Sequence, residues 1–553
     1  MAALPKSPSI TIIEQNKSTY TVTSAATVVA YVGFASYGPI NTVVSTNSKS
    51  NFLFTFGTPS SSSPYSAMSV LRTFNQTNQV LFYRVGNTLG DSLTRLAYAE
   101  RVVTSAGDSN KVLFQAENYG SYVNGAYFTF TQRADPISGD SKWDFRFYTS
   151  DNTLQETYSN VSWKVGDSRF FATIIGATVD NGGSAWLNVT VKQWGAKPYV
   201  KLAPIGSLAG SVTTYYIGQP QSGDTRRAAS ISNGDTYSAK VGDTKWYTFR
   251  IGRDGIVSGS AGGDTLFSNA LATTASLANK ELWNYHVLAC PDNNDSIVTD
   301  AGIALAENRQ DFLFIVDPPF GKSVANIVNW HNGTGGQGRS TPLNSSYAAT
   351  WWPWLKDFNA YSAQYIWCPP SVFIPELLCK VDASFGAWYA PAGDNRGKIL
   401  AYNYEQSPSL ADRDNLYGDL NAVNPIVNFA VKGLEAYGQK TLLRQTSAIN
   451  RLNVRRMVIY IKKLIKNAMD GIVFEPHNAD SWARATTIIN SILEPVRQAN
   501  GLADYKVQID STTNTPSLIA QSIMSGIIQI VPVGTIEIIQ LTIQINAVGS
   551  TIT

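Results

Sequence analysis

The chain has 553 residues, which is too long for one hydrophobic core and predicts roughly three or four domains. Lysine and arginine number 43 against 40 acidic residues, and the resulting net charge of +3 is too small to indicate bulk binding to nucleic acid or to an anionic membrane. Only 15% of the residues are charged, against about 25% in an average soluble domain, so we expect partners to cover much of the surface.

The first 25 residues are predicted to form an N-terminal arm. Ser9–Ile13 and Thr19–Thr23 read as two short strand-like pieces, in which Ile10, Ile12, Tyr20 and Val22 are the apolar positions. An edge strand of the first domain is the alternative interpretation of this segment. The amino terminus lacks the charged and apolar regions of a secretory signal, and no run of about 18 apolar residues predicts a transmembrane helix.

An α/β pattern begins at residue 26 and stops early, near residue 87. It comprises a strand at 27–32, a helix at 65–73 and a buried strand at 80–85. From 88 to 280 the sequence changes to short aromatic strands, such as 126–131 and 143–148, separated by Gly, Asp, Asn and Ser turns. This change predicts a β-rich outer region inserted into the first domain.

The α/β pattern resumes from 281 to 415. Strands are predicted at 285–289, 312–316 and 365–368, with helices at 297–307 and 324–330 between them. The tryptophan-rich stretch 350–354 is predicted to be a loop. Alternation at this spacing favours a parallel sheet, so we predict a discontinuous α/β core domain formed by 26–87 and 281–415.

Residues 416–532 are predicted to form a C-terminal α+β domain. Apolar residues at helical spacing predict helices at 455–469 and from an N-cap at Asp480 to Val496, with strands at 471–475 and 505–509. The segment from Gln439 to Lys506 carries eleven basic and five acidic residues. The basic face that we single out on the first helix consists of Arg455, Arg456, Lys462, Lys463 and Lys466, which either lie in solvent or dock on an acidic protein surface.

The last 21 residues, 533–553, are predicted to form a C-terminal arm. Ile536, Ile538, Leu541, Ile543 and Ile545 alternate with polar residues, with one slip at Ile539, which is typical of a strand. No lysine or arginine follows Lys506, and Asp510 and Glu537 are the only acids there. A long uncharged strand with a free edge promotes aggregation. It therefore either pairs within its own domain or completes a sheet on a neighbouring molecule.

No catalytic, cofactor-binding or metal-binding residue is predicted. Gly321-Lys322-Ser323 follows the acid-tipped strand 312–317, but Val316 stands where a phosphate loop needs its first glycine. The three histidines, His286, His331 and His477, form no metal-ligand motif, and the three cysteines, Cys290, Cys368 and Cys379, form no C-x-x-C pair. The protein is therefore expected to be non-enzymatic and to need no cofactor.

The sequence resembles contractile tail sheath proteins of bacteriophages and related injection machines. In the C-terminal domain the matching segments are Val423-Asn424-Pro425-Ile426, Gly438 to Leu442, Asn453 to Arg456, Phe474-Glu475-Pro476, and Tyr505-Lys506-Val507 with Asp510. Further segments match upstream: Gly33 to Ile40, Trp352-Pro353-Trp354, Pro369-Pro370-Ser371 and Ala390-Pro391-Ala392-Gly393. The pattern departs at His477, where asparagine is expected, and at Lys440, where arginine is expected.

The resemblance implies a structural and mechanical role. Sheath subunits of this family stack as six-fold rings around a tail tube, exchange N- and C-terminal arm strands with neighbours, and contract from a metastable extended lattice to drive the tube through the host envelope. The implied partners are other sheath subunits, the tube protein, and baseplate and tail terminator proteins. Nucleic acid and membrane insertion are not implied. The expected location is the virion tail, after assembly in the host cytoplasm, and the basic face becomes the candidate tube-facing element.

Two other functions are compatible with parts of the sequence. An α/β hydrolase or nucleotide-dependent enzyme with a β-rich inserted domain would explain the acid-tipped strand at 312–317. A capsid or tube protein would explain the low charge. Long striated tubes in the electron microscope would favour the sheath, turnover of substrate by a monomer the enzyme, and shells or smooth narrow tubes the third function.

Overall fold

The computed structural model describes most of the chain outside residues 87–260. Residues 27–35, 38–59, 64–86, 261–418, 420–538 and 540 are described throughout, and between 87 and 260 the description covers the strands given below with residues 153, 168–169 and 174–175. The predicted arm residues Ile10, Ile12, Tyr20 and Val22, and likewise Leu541, Ile543 and Ile545, lie outside the described residues.

The described secondary structure mixes strands and helices along most of the chain. The strands are β1 (Val29–Gly33), β2 (Val43–Thr46), β3 (Val80–Arg84), β4 (Tyr98–Ser105), β5 (Lys111–Tyr119), β6 (Tyr127–Arg133), β7 (Lys142–Tyr148), β8 (Leu154–Val161), β9 (Leu187–Lys192), β10 (Val212–Tyr216), β11 (Thr236–Tyr237), β12 (Thr244–Thr248), β13 (Val287–Ala289), β14 (Leu313–Val316), β15 (Ala348–Trp352), β16 (Leu355–Asn359), β17 (Gln364–Cys368), β18 (Asn403–Tyr404), β19 (Val423–Phe429), β20 (Gly433–Ala436), β21 (Leu502–Gln508) and β22 (Ile527–Pro532). The α-helices are α1 (Lys49–Phe56), α2 (Tyr65–Thr73), α3 (Ala261–Ala270), α4 (Ser296–Arg309), α5 (Val324–His331), α6 (Ile374–Ser384), α7 (Leu410–Leu416), α8 (Leu452–Met469), α9 (Ala479–Gln498) and α10 (Pro516–Ala520).

A mostly parallel eight-stranded sheet organises the larger part of the described residues. Its strand order is β2-β3-β1-β13-β14-β15-β19-β20. The six inner strands run parallel, and the edge strands β2 and β20 pair antiparallel with their neighbours. Helices cover both faces, since α1, α2 and α6 contribute to one buried cluster and α3, α4 and α5 to the other. We call this sheet with its helices the α/β body.

The α/β body differs from the sequence prediction at three places. The predicted loop 350–354 contains most of β15, whose Trp351 and Trp352 are fully buried between the helix layers. The predicted strand at 365–368 exists as β17, but it belongs to a separate antiparallel sheet of order β17-β16-β18. The body also begins again at α3, before the predicted residue 281, because Phe267 is buried in its core, and it extends past residue 415 through β19 and β20.

The region between β3 and α3 contains nine strands among its described residues. They form two sheets, of order β11-β10-β4-β5-β9 and β12-β6-β7-β8. All described pairings in the two sheets are antiparallel. The aromatic stretches predicted at 126–131 and 143–148 correspond to β6 and β7.

The C-terminal unit consists of α8, α9 and the two-stranded sheet β21–β22. The stripes predicted on the two helices pack together, and their residues Met457, Ile461, Ile489 and Val496 are buried there. The N-cap of α9 is Asn478, whose side chain accepts a hydrogen bond from the Ser481 amide, and not the predicted Asp480. The predicted strand 471–475 is instead a 3-10 turn followed by irregular chain. Among the described helices, none is both long and apolar enough to cross a membrane.

Candidate functional site

Helix α8 lies across one edge of the parallel sheet, so its position determines what the C-terminal unit can present to a partner. Its polar contacts reach Tyr285, Asp311 and Tyr347, which precede β13, β14 and β15 respectively. These residues are at the amino ends of three parallel strands, and the amino ends of parallel strands share one edge of a sheet. The helix therefore fixes the C-terminal unit to the α/β body.

Two arginines of the basic face are buried between α8 and the α/β body. The Arg455 guanidinium donates to the Ser346 hydroxyl at 2.6 Å and stacks 4.1 Å from the ring centroid of Tyr347. Arg456 forms an ion pair with Asp382 of α6. Both side chains have their partners inside the chain, so the interpretation of Arg455 and Arg456 as tube-facing residues is not supported by their position.

The three lysines of the basic face divide between the interior and the surface. Lys463 is buried, donates to Asn284 at 2.8 Å and to the Tyr285 carbonyl, and lies 3.8 Å from Asp311. Burial lowers the pKa of Lys463 to about 8. Lys462 and Lys466 are exposed, although Lys462 donates to the Gln310 carbonyl at 3.1 Å. The surface part of the predicted basic face is therefore limited to Lys462 and Lys466.

The first described residues, which follow the predicted N-terminal arm, are tied to this same junction. The Thr27 hydroxyl donates to Asp382 at 2.6 Å, and the Val28 amide donates to His286 Nδ1 at 3.1 Å. His286 is neutral there, because burial lowers its pKa to about 3. Asp382 thus joins the base of the N-terminal segment to Arg456 of α8.

The antiparallel strands β21 and β22 form the smallest sheet of the described residues, and residues 509–526, which include α10, connect them. We call this pair of strands the C-terminal hairpin. It pairs residues 502–508 with 527–532 and packs one face on the core of α8 and α9, to which Leu502, Tyr505 and Ile530 contribute. Ile527 and Val531 on its other face are 52% and 53% exposed. Among the described residues, neither strand pairs with a third one.

The beginning of the predicted C-terminal arm crosses from this hairpin back to the α/β body. Ile536 and Ile538 are 80% and 87% exposed and lie outside any strand of this chain. Glu537, between them, accepts hydrogen bonds from Tyr417 and Gln439 and forms an ion pair with Arg451. The predicted strand over 536–545 is therefore not formed within this chain at 536–538, and its remaining arm residues are outside the described part.

The acid-tipped strand considered for enzyme chemistry carries a structural carboxylate. Asp317, after β14, accepts hydrogen bonds from the amide and hydroxyl of Ser371. Asp292, after β13, accepts from the amides of Phe34 at 2.9 Å and Ser66 at 3.2 Å. Burial raises the pKa of Asp292 to about 6 and that of Asp317 to about 7. Both carboxyls join loops at the carboxyl edge of the sheet.

The cysteines and the Gly-Lys-Ser segment, which were also considered for chemistry, make contacts that stabilise the fold. Cys290, Cys368 and Cys379 are buried as free thiols. The Gly321 amide donates to Glu405 at 2.8 Å, and Ser323 is the N-cap of α5. Within the described ranges, no group of three or more His, Cys, Asp or Glu side chains could hold a metal ion.

The fold is that of contractile sheath proteins. The sheath tail protein of Desulfitobacterium hafniense superposes with a TM-score of 0.52 at 10% identity, over 91% of this chain and 94% of that protein. The helical sheath of the anti-feeding prophage in its contracted state superposes with a TM-score of 0.50 at 14% identity, over 98% of this chain and 99% of that one.

Sequence similarity leads to the same class of protein. The tail sheath protein of Vibrio phage KVP40 is 32% identical over 247 residues, which cover 42% of this chain and 36% of the phage protein. Two further matching phage proteins, from Enterobacteria phage T4 and Salmonella phage ViI, are also tail sheath proteins. The chain spans 36% to 45% of the length of these curated relatives. No family model matches the chain.

These comparisons confirm the resemblance that was read from the sequence. The chain is similar in sequence to tail sheath proteins of bacteriophages over 42% to 51% of its length, and it has the fold of sheath proteins. The acid-tipped strand, which suggested an enzyme, occurs within that fold.

Proposed function

We propose that this chain is the polymerising subunit of a contractile tail sheath. The observation that carries the proposal is the 32% identity to a phage tail sheath protein, together with an α/β fold shared with sheath proteins. The proposed role is structural and mechanical, without catalysis or a cofactor. The subunits would form stacked six-fold rings around a tail tube.

The C-terminal hairpin supports a specific way of linking the subunits. An antiparallel pair of strands leaves two outer edges with backbone donors and acceptors available for another strand. Strands that neighbouring subunits add at these edges would place their side chains beside the exposed Ile527 and Val531. The arms at 1–25 and 533–553 have the strand-forming sequence that this role needs, so we assign them as the added strands.

Contraction then becomes a rearrangement of bodies that remain linked. Main-chain hydrogen bonds to the arms keep neighbouring subunits attached while the α/β bodies rotate from a metastable extended lattice to a contracted one. The movement would drive the tube through the host envelope. Partners in the virion tail would be the tube protein, to which Lys462 and Lys466 are the exposed candidates for contact, and the baseplate and tail terminator proteins. Assembly would take place in the host cytoplasm.

Electron microscopy of the purified full chain tests this function. We expect long striated tubes or contracted cylinders in negative stain. Deletion of residues 536–553 is expected to leave a folded subunit, with an unchanged circular dichroism spectrum, that no longer forms tubes. Normal tubes from the deletion variant would contradict the role of the arm, and a full chain that stays monomeric when the tube protein is co-expressed would contradict the function.

A further inference from the structure

A cluster of polar side chains holds the base of the C-terminal arm against the chain's own α/β body. Glu537 Oε1 lies 2.9 Å from Arg451 Nε, 3.1 Å from Gln439 Nε2 and 3.2 Å from the Tyr417 hydroxyl. We call these four residues the latch. Gln439 follows β20 and Tyr417 follows α7, whereas Arg451 directly precedes α8, so the three donors meet at the boundary between the α/β body and the C-terminal unit.

Two weaker contacts lead the chain from the hairpin to the latch. The Val533 amide donates to the Gly501 carbonyl at 3.2 Å, and the Thr535 hydroxyl lies 3.3 Å from Asn453 Nδ2. The path is therefore attached at positions 533, 535 and 537. Because side chains alternate along an extended chain, an inward Glu537 directs Ile536 and Ile538 outward, and these are indeed the highly exposed side chains of the segment.

The acid at position 537 is conspicuous in the sequence itself. It is the only charged residue between Asp510 and the end of the chain. Two neutral donors and one guanidinium converge on it, and hydrogen bonds to a charged acceptor are stronger than those between neutral groups. Gln439, which donates to it, is 97% buried by residue surface, so the amide is held ready for this partner. A single carboxylate in an otherwise uncharged tail therefore has a dedicated binding site.

We propose that Glu537 is a positioning residue, which fixes the point and the direction at which the C-terminal arm departs from the subunit. Glu537 binds to the α/β body of its own chain. The side chains of Ile536 and Ile538 therefore point outward, where a second copy of the chain can contact them. Only one part of this inference rests on the proposed function, namely that the arm is used in assembly. The latch itself is a property of the isolated subunit.

The first experiment measures the latch in the isolated subunit. A glutamate-specific protease cleaves after Glu537 only when the side chain leaves the latch and enters the protease. Release of the fragment 538–553, followed by mass spectrometry, is expected to be slow in the wild type and about tenfold faster in Arg451→Ala, which removes the ion pair to Glu537. Arg484→Ala, which removes an exposed ion pair to Glu475, is the matched control and should leave the rate unchanged. Equal rates in Arg451→Ala and wild type would overturn the latch.

The second experiment measures positioning through assembly. Glu537→Arg and Arg451→Glu each place like charges in the latch and are expected to reduce tube formation at least tenfold, while the double variant Arg451→Glu/Glu537→Arg restores it. Arginine at 537 could also use Gln439 Oε1, which has no partner in the described contacts. Full assembly by both single variants would overturn positioning, even if the protease experiment confirms the latch. Absence of tubes from the wild type would contradict the proposed function instead, and the protease result would still decide the latch.

Discussion

The α/β body and the C-terminal hairpin differ in where their side chains find partners. The body buries charged groups, among them Asp292, Asp317 and, at its contact with α8, Arg456 and Lys463. The hairpin and the chain after it expose apolar groups, which are Ile527, Ile528, Val531, Ile536 and Ile538. Buried charges tolerate only their existing partners, whereas exposed β-branched residues beside a free strand edge need further ones. The buried charged groups of the body thus have partners within one chain, whereas the exposed apolar residues of the hairpin have none among the described residues.

The largest effect is expected from the buried ion pair between α8 and α6. Arg456→Met leaves Asp382 buried without its cation, and should lower the free energy of unfolding by about 3–5 kcal/mol. Denaturant unfolding followed by tryptophan fluorescence measures the loss. The exposed pair of Arg484 and Glu475 is the control, since Arg484→Ala should cost about 0–1 kcal/mol. Equal losses of unfolding free energy in the two variants would show that the ion pair between α8 and α6 contributes no more to stability than an exposed ion pair does.

The next effect concerns the buried carboxyls and depends on pH. Folding raises the pKa of Asp317 from 3.8 to about 7, because the site is buried. The folded protein therefore holds this proton more tightly, and the stability that the carboxyl contributes is fully present below about pH 3.8 and is lost as the pH rises through about 7.

Asp317→Asn removes this dependence on pH. The free energy of unfolding of the variant, relative to wild type, should rise between pH 4 and pH 8, by about 1.4 kcal/mol for each unit by which the pKa is raised. Thermal unfolding at paired pH values measures the difference. Asp292→Asn should show the same sign, with the rise complete near pH 6. A difference that is constant with pH would disprove the assignment.

Substitutions on the exposed face of the hairpin should impair assembly and change the stability of the subunit very little. Ile527→Lys with Val531→Lys places charge on the exposed face, so the free energy of unfolding should change by less than about 0.5 kcal/mol. Tube formation should nevertheless be lost, because both lysines would lie beside the apolar side chains of the strand that a neighbour adds. Ile523→Lys, at an exposed position before β22, is the control and should still assemble. Unfolding of the double variant at lower denaturant would mean that the hairpin is part of the folded core.

The smallest effect is expected at the exposed lysines of α8. Lys466→Glu should leave stability unchanged and slow assembly on the tube a few-fold at low salt, with the difference disappearing at about 1 M salt, where exposed charges are screened. Sedimentation of assembled sheath over a salt series measures this. Lys463→Gln is the comparison within the same helix, since it removes buried contacts and should lower stability instead. An unchanged rate for Lys466→Glu at all salt concentrations would leave the lysine with no role at the tube.

The sequence predicts individual elements of the body well where one periodic pattern acts alone. Helix 65–73 is found at its predicted bounds, and the stripe from Met457 to Ala468 lies within α8. β15 was missed because Trp351 and Trp352 next to Pro353 resemble a loop, whereas burial on both faces of a parallel strand accepts such residues. The predicted strand at 471–475 failed because no strand lies beside it, and Val473 and Phe474 are exposed in a turn.

The basic face shows why the site is harder to predict than the fold. Helical periodicity correctly places the basic residues on α8, but it cannot identify partners that lie far away in sequence. Arg456 meets Asp382, and Lys463 meets Asn284 and Asp311. The one sequence signal that Arg455 and Arg456 are buried is their position near the start of the helix, beside the apolar stripe. Glu537 is one of only two acids after Lys506, but its three partners could be found only in the structure.

The position of α8 at the amino ends of β13, β14 and β15 has a mechanical consequence. A force that a neighbouring subunit applies to the hairpin enters the sheet through this helix, at one end of three adjacent strands. Where such a force points along the strands, it loads the hydrogen bonds between them in shear and together, instead of opening them one at a time. A pull on the hairpin would then move the whole α/β body as a rigid unit before any strand separates from the sheet.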